Sequence, residues 1–131
     1  MKRRVLVVAA LIESSERPGA YLVQQRLPGK SRELLWEFPG GKRQPGETPE
    51  AALVREIREE LDAAVTVGEL LDDVEWTYPE KTVRLLFFRC GLDDEPRAAE
   101  GQEIAWVAPA DLGGYEFPPA DEGLVARLRR R

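Results

Sequence analysis

The sequence predicts an α/β sandwich built on a mixed β-sheet. β-rich segments are interspersed with two segments of helical periodicity. Short turns containing Ser, Pro and Gly separate neighbouring β-rich segments, which suits hairpins. Strand–helix–strand units are too few for a doubly wound parallel sheet. The chain has 131 residues, 43% hydrophobic and 33% charged. That size and balance fit a single domain, residues 1–131, with one core.

Each element has a local reason. Val5–Ile12 is β-rich and reads as a buried strand, followed by a turn at Glu13–Gly19. Ala20–Arg26 reads as a second strand, paired with the first as a hairpin. Leu27–Glu33 is a polar loop, Leu34–Phe38 a short extended piece and Pro39–Gly46 a loop. Thr48 is a candidate N-cap with Pro49 at the first helical position, and the helix runs to about Leu61. Val65–Tyr78 alternates loosely, as a strand with a break; Thr82–Cys90 is a clear strand. Gly91–Gly101 is an acidic loop, Glu103–Val107 a short strand and Pro109–Leu112 one helical turn. Pro118–Arg131 reads as a closing helix with Leu124, Val125 and Leu128 facing inward.

Composition removes several functions. A net charge of −5 argues against binding a nucleic-acid polymer. The absence of histidine removes a Ser-His-Asp triad and His-rich zinc sites. The one cysteine, Cys90, cannot form an internal disulfide and reads as a small buried hydrophobe. The basic start before an apolar run has a weak signal-peptide reading. The run is short, so a first strand and a cytoplasmic protein with no membrane partner are expected.

The most informative stretch is GKRQPGETPEAALVREIREEL, residues 41–61. Helix residues advance by about 100° each, so Glu56, Glu59 and Glu60 share one arc about 100° wide. Ala52 lies in that arc. Leu53, Val54, Ile57 and Leu61 occupy another and are expected to face the core. Like charges three and four residues apart repel by about 0.2–0.5 kcal/mol per pair. A hard divalent cation offsets that, and beside a glycine-rich loop it suits phosphate chemistry. The competing reading is a solvated helix with pairs to Arg55 and Arg58.

Gly41, Glu47, Arg55, Glu56, Ile57, Glu59 and Glu60 stand in register with the Nudix box, Gly-x5-Glu-x7-Arg-Glu-U-x-Glu-Glu-x-Gly-U, and the chain resembles that family. Asp62 replaces the box glycine and Ala63 the last aliphatic residue. Asp tolerates a left-handed helix stop better than most residues. The resemblance implies an α/β/α sandwich and a bound Mg²⁺, with Mn²⁺ as the alternative. It implies Glu56, Glu59 and Glu60 as ligands, with the Gly40 carbonyl completing the shell. Glu47 and Arg55 are then a supporting ion pair, bidentate in form.

Outside the box, LWEFPGGK (Leu35–Lys42), AEGQE (Ala99–Glu103) and FPPAD (Phe117–Asp121) resemble MutT-type members, which hydrolyse nucleoside triphosphates, including oxidised ones such as 8-oxo-dGTP. By that resemblance Glu100 is a further metal ligand or a base; otherwise it is a plain loop glutamate. Asp121 stands where those members carry a base-reading Asn. Ionised Asp only accepts, favouring an amino-bearing base such as cytosine or adenine; protonated Asp regains a donor for a keto group. The other reading of Asp121 is a helix cap. Tyr78 and Lys81 match an aromatic and a basic position near the nucleotide, or are an edge-strand aromatic and a surface lysine. Arg26 and Lys42 are the better candidates for phosphate contact. The Arg-rich end RLRRR suits a helix terminus.

The resulting expectation is Mg²⁺-dependent hydrolysis of a (deoxy)nucleoside triphosphate to the monophosphate and pyrophosphate, cleansing the nucleotide pool. Glu56 is catalytic through the metal, and Glu59 or Glu100 takes the proton. A CTP-type, nucleotide-sugar or dinucleotide hydrolase and a non-catalytic regulatory module are the alternatives. A monomer or weak homodimer is expected.

Overall fold

The computed structural model describes residues 3–29 and 34–130. Strand β1 (Arg3–Ile12) is central to a four-stranded sheet with β4 (Gly40–Lys42), β5 (Val65–Thr77) and β6 (Lys81–Leu92), in the order β4-β1-β6-β5. β1 runs parallel to β6, whereas β4 is antiparallel to β1 and β5 antiparallel to β6. A second, antiparallel sheet has the order β3-β2-β7, from β3 (Trp36–Glu37), β2 (Tyr21–Gln25) and β7 (Ile104–Val107). Helices α1 (Pro49–Leu61) and α2 (Glu122–Arg129) complete the fold.

The alternation of β1 explains the layering. Val8, Ala10 and Ile12 pack with Leu53, Ile57 and Leu61 of α1. Ala9 and Leu11 point the other way, into a cluster that holds Leu124, Val125 and Leu128 of α2. β6 divides likewise, Leu86 and Phe88 toward α1 and Leu85 and Phe87 toward α2. Strands covered on both faces read as continuous apolar runs, as these do. The α/β/α sandwich with a mixed sheet is therefore present.

α1 matches its expected bounds. Thr48 accepts from the Ala51 amide at 3.1 Å and Pro49 opens the helix. Asp62 closes it in the left-handed conformation, φ 49° and ψ 45°, with its N–H donating to the Arg58 carbonyl. The break foreseen in Val65–Tyr78 is a pair of register shifts between Val67 and Asp72.

Other expectations are corrected. The first two strands do not form a hairpin: they lie in different sheets, joined by a single bridge from Glu13 to Tyr21. The apolar first strand is better buried in the middle of the larger sheet. Gly40–Lys42 is a strand against β1 and not loop. Val54, assigned to the core, is 45% exposed, whereas Ala52, on the glutamate arc, is fully buried. The closing helix begins later, a 3₁₀ turn at Pro119–Asp121 preceding α2. The Leu27–Glu33 loop and the Arg-rich end fall partly outside the described residues, at 30–33 and 131. No described helix is long and apolar enough to cross a membrane.

Candidate active site

β4 places two glycines against α1. Gly40 has φ 155°, and a Cβ there would run into the Val8 carbonyl of β1. A Cβ on Gly41 would overlap the Glu56 carboxylate. Glycine at 40 lets β4 lie close to β1, and glycine at 41 lets it lie close to α1.

The loop between them is clamped by Arg55. Its Nε and Nη2 donate to the two oxygens of Glu47 at 2.7 and 2.9 Å, a bidentate pair, and Nη2 also donates to the Lys42 carbonyl at 3.0 Å. The Arg55 hydrogen bonds hold the Glu47 carboxyl down to about 2. Arg55 Nη1 also donates to Glu56 at 3.0 Å and reaches Glu59 at 3.3 Å.

Glu60 is buried. It accepts from the Gly40 amide at 2.9 Å and from Gln24 Nε2 at 2.9 Å. Burial, then the charge of Glu37, pushes its pKa well up. Burial also raises that of Glu56, with Glu59 and Glu100 adding repulsion against the opposing pull of Arg55. Glu59 is different: half its side chain is exposed.

Glu56, Glu59, Glu60 and Glu100 line one cavity of about 550 Å³ with Gly40, Gly41, Arg26, Lys42, Tyr78, Lys81 and Asp121. Every candidate residue except Glu47 and Arg55 lines that cavity, and those two brace its rim. Asp121 is 6% exposed and makes no side-chain cap on α2, so the capping reading fails. Burial, then the charge of Glu37, pushes its pKa up to about 8, against the pull of Arg26. Tyr78 is buried in the core, and its hydroxyl accepts from the Ala120 amide at 3.2 Å. It thereby holds the Phe117–Asp121 segment in place. Arg26 Nη1 donates to Glu37 Oε1 at 2.8 Å. Lys81 is buried in the wall, and Lys42 is exposed.

The sequence also matches a family model described as the NUDIX domain, over residues 8–127. This chain belongs to the NUDIX family. It is similar to the 8-oxo-dGTP diphosphatase of Haemophilus influenzae, 40% identical with 98% of this chain and 94% of the relative covered. It is similar to the CTP pyrophosphohydrolase of Escherichia coli, 36% identical with 94% and 90% covered. A solved MutT protein from Methanosarcina mazei superposes with a TM-score of 0.86 at 26% identity, over 98% of this chain and 95% of that one.

Nudix hydrolases use a divalent metal, and the donors here suit one. They are hard carboxylate oxygens, and burial, with neighbouring carboxylates adding to it, raises the pKa of Glu56 and Glu60, so a cation would favour their ionised forms. Among the described residues no three acidic side chains already close into a ligand cage. Glu56 and Glu59 lean on Arg55, and Glu60 on Gly40 and Gln24.

Gln24, Glu37 and Gln102 line the cavity without having been singled out from the sequence. A signal was available: Gln24 follows Leu22 on the inward face of β2, and Glu37 interrupts an apolar segment.

Proposed function

We propose that this Nudix domain hydrolyses nucleoside triphosphates to the monophosphate and pyrophosphate with Mg²⁺. The observation that carries the reading is one cavity lined both by a group of carboxylates and by apolar side chains. Glu56, Glu59, Glu60 and Glu100 line it together with Asp121 and the apolar Phe38, Val83, Leu85 and Pro118. Glu56 and Glu60 are the proposed principal ligands, with Glu59, Glu100 and the Gly40 carbonyl available to add to them. When bound, the cation neutralises phosphate charge and acidifies water.

The chain's own residues do the rest. Arg55 and Glu47 hold the glycine loop so that Glu56 keeps its place. Arg26, Lys42 and Lys81 face the phosphates. Water attacks phosphorus, a bridging P–O bond breaks, and a carboxylate oxygen of Glu59 or Glu100 takes the proton.

The base is read at Asp121. With a pKa raised to about 8, its carboxyl is mostly protonated at neutral pH and donates as an amide N–H would. That favours a keto base such as 8-oxoguanine, and pool cleansing as the role. The ionised form favours an amino-bearing base. This supports a second reading as a CTP-type enzyme, and one relative bears that name.

The deciding experiment measures pyrophosphate release from normal and oxidised dNTPs and NTPs, with and without Mg²⁺. Metal-dependent release with monophosphate as co-product is expected. No release from any triphosphate, despite Mg²⁺ binding, would sink the reading and leave a binding module.

A further inference from the structure

A pair of buried glutamines joins the glutamate helix to the loop that carries Glu100. Gln24 and Gln102 are 2% and 6% exposed. Gln24 Nε2 donates to Glu60 at 2.9 Å and to Glu37 at 3.1 Å, so one amide serves two carboxylates. Its oxygen accepts from Gln102 Nε2 at 3.0 Å. Gln102 Nε2 also donates to the Glu60 carbonyl at 2.9 Å, and Gln102 Oε1 accepts from the Glu100 amide at 3.0 Å.

The backbone reinforces this link. The last carbonyls of a helix lack partners within it. Here the Glu60 carbonyl accepts from the Ala99 amide at 3.0 Å, and the Leu61 carbonyl from the Arg97 amide at 2.8 Å. The loop before β7 thus supplies partners for the carbonyls at the end of α1 that Asp62 leaves open. Its register along the helix end fixes how far Glu100 stands from Glu60.

We propose that Gln102, with Gln24 behind it, is a positioning residue that sets Glu100 and Glu60 relative to each other for the reaction. The choice of amide has a reason. A lysine or arginine in place of Gln24 would orient the two carboxylates but neutralise them, competing with a cation, and in place of Gln102 would leave the Glu100 amide without its acceptor. A glutamine donates and accepts while leaving their charge available. It also satisfies all its own polar groups, which a buried network requires. The proposal rests on the hydrolase reading above, since it assigns Glu100 and Glu60 to that chemistry.

Gln102→Leu tests it. Loss of a partner that orients a metal ligand typically costs about 10–100-fold. The expected result is a fall of that size in kcat, with little change in KM for the triphosphate. Hydrogen exchange at the Glu100 amide should quicken, and Mn²⁺ affinity by electron paramagnetic resonance should weaken. A Gln102→Leu/Glu100→Gln double variant should lose less than the product of the two single losses, because Gln102 acts partly through Glu100. Wild-type kcat in Gln102→Leu, or multiplicative losses in the double variant, overturns the proposal. If Gln102→Leu does not fold, Gln102→Met keeps the length and carries the same measurements. Failure of both to fold makes Gln102 a fold determinant and overturns it too. A wild-type protein releasing no pyrophosphate defeats the hydrolase reading instead. The exchange rate at Glu100 still judges the strap in that case.

Discussion

Two acids of the glutamate helix make the sharpest claims at the scale of single residues. Partial burial raises the pKa of Glu56, and deeper burial with the nearby charge of Glu37 raises that of Glu60 further. Glu56→Gln and Glu60→Gln are each expected to lower turnover by about 100-fold or more while the fold persists, read by steady-state kinetics beside circular dichroism. Near wild-type rates in both would remove the ligand assignment. Asp121→Asn tests base reading. Below pH 8 the protonated Asp121 already resembles an amide donor, so variant and wild type should rank substrates alike at pH 6. Above pH 8 Asp121 ionises and Asn does not. The variant should then prefer oxo-purine triphosphates over CTP-type ones more strongly than the wild type. An identical ranking at pH 6 and pH 9 means Asp121 does not read the base.

At the scale of elements, helix and loop act together through Arg55. Its paired bonds to Glu47, with a third to the Lys42 carbonyl, tie residues 42–47 to α1. Arg55→Ala is expected to reduce kcat about tenfold or more by freeing the loop that backs Glu56. The Glu47 carboxyl is held down to about 2, against an ordinary value of 4.5. A depressed acid stabilises the fold above its unfolded value, and that stabilisation is lost as pH falls through the folded one. Acid unfolding of Glu47→Gln should therefore depend less on pH between 4.5 and 2 than that of the wild type, as followed by far-ultraviolet circular dichroism. This clamp was legible in the sequence, because Glu47 and Arg55 hold fixed places relative to one capped helix. The strap at Arg97–Gln102 was not, because its partners at Glu60 and Leu61 are some 40 residues away and no local period links them.

For the whole molecule, stability and ligand binding should be coupled. Asp121 keeps its proton to higher pH in the folded state than in an unfolded chain, and burial shifts Glu60 in the same direction. Raised acids favour the fold at low pH and weaken it as pH rises. For Asp121 that window runs from 3.8 to about 8. Asp121→Asn should therefore raise stability at pH 8 more than at pH 5, by up to about 1.4 kcal/mol per pH unit, measured by urea unfolding. Mg²⁺ with a slowly hydrolysed triphosphate should stabilise the wild type by about 2.7 kcal/mol at a hundredfold excess over Kd. In Glu60→Gln the metal-dependent part of that gain should vanish.

The sequence alone determined the helix, its Thr48 cap and Asp62 stop, the arc of Glu56, Glu59 and Glu60, and the membership those residues signal. Periodicity and capping are local, so they survive without knowledge of the rest of the chain. Only the tertiary structure decided that the first two strands part into different sheets, that Gly40–Lys42 becomes a strand, and that Gln24, Glu37 and Gln102 meet beneath the glutamates. Strand partners are chosen by which pairing buries the most apolar surface while satisfying every backbone group. That choice is made between segments far apart in the chain.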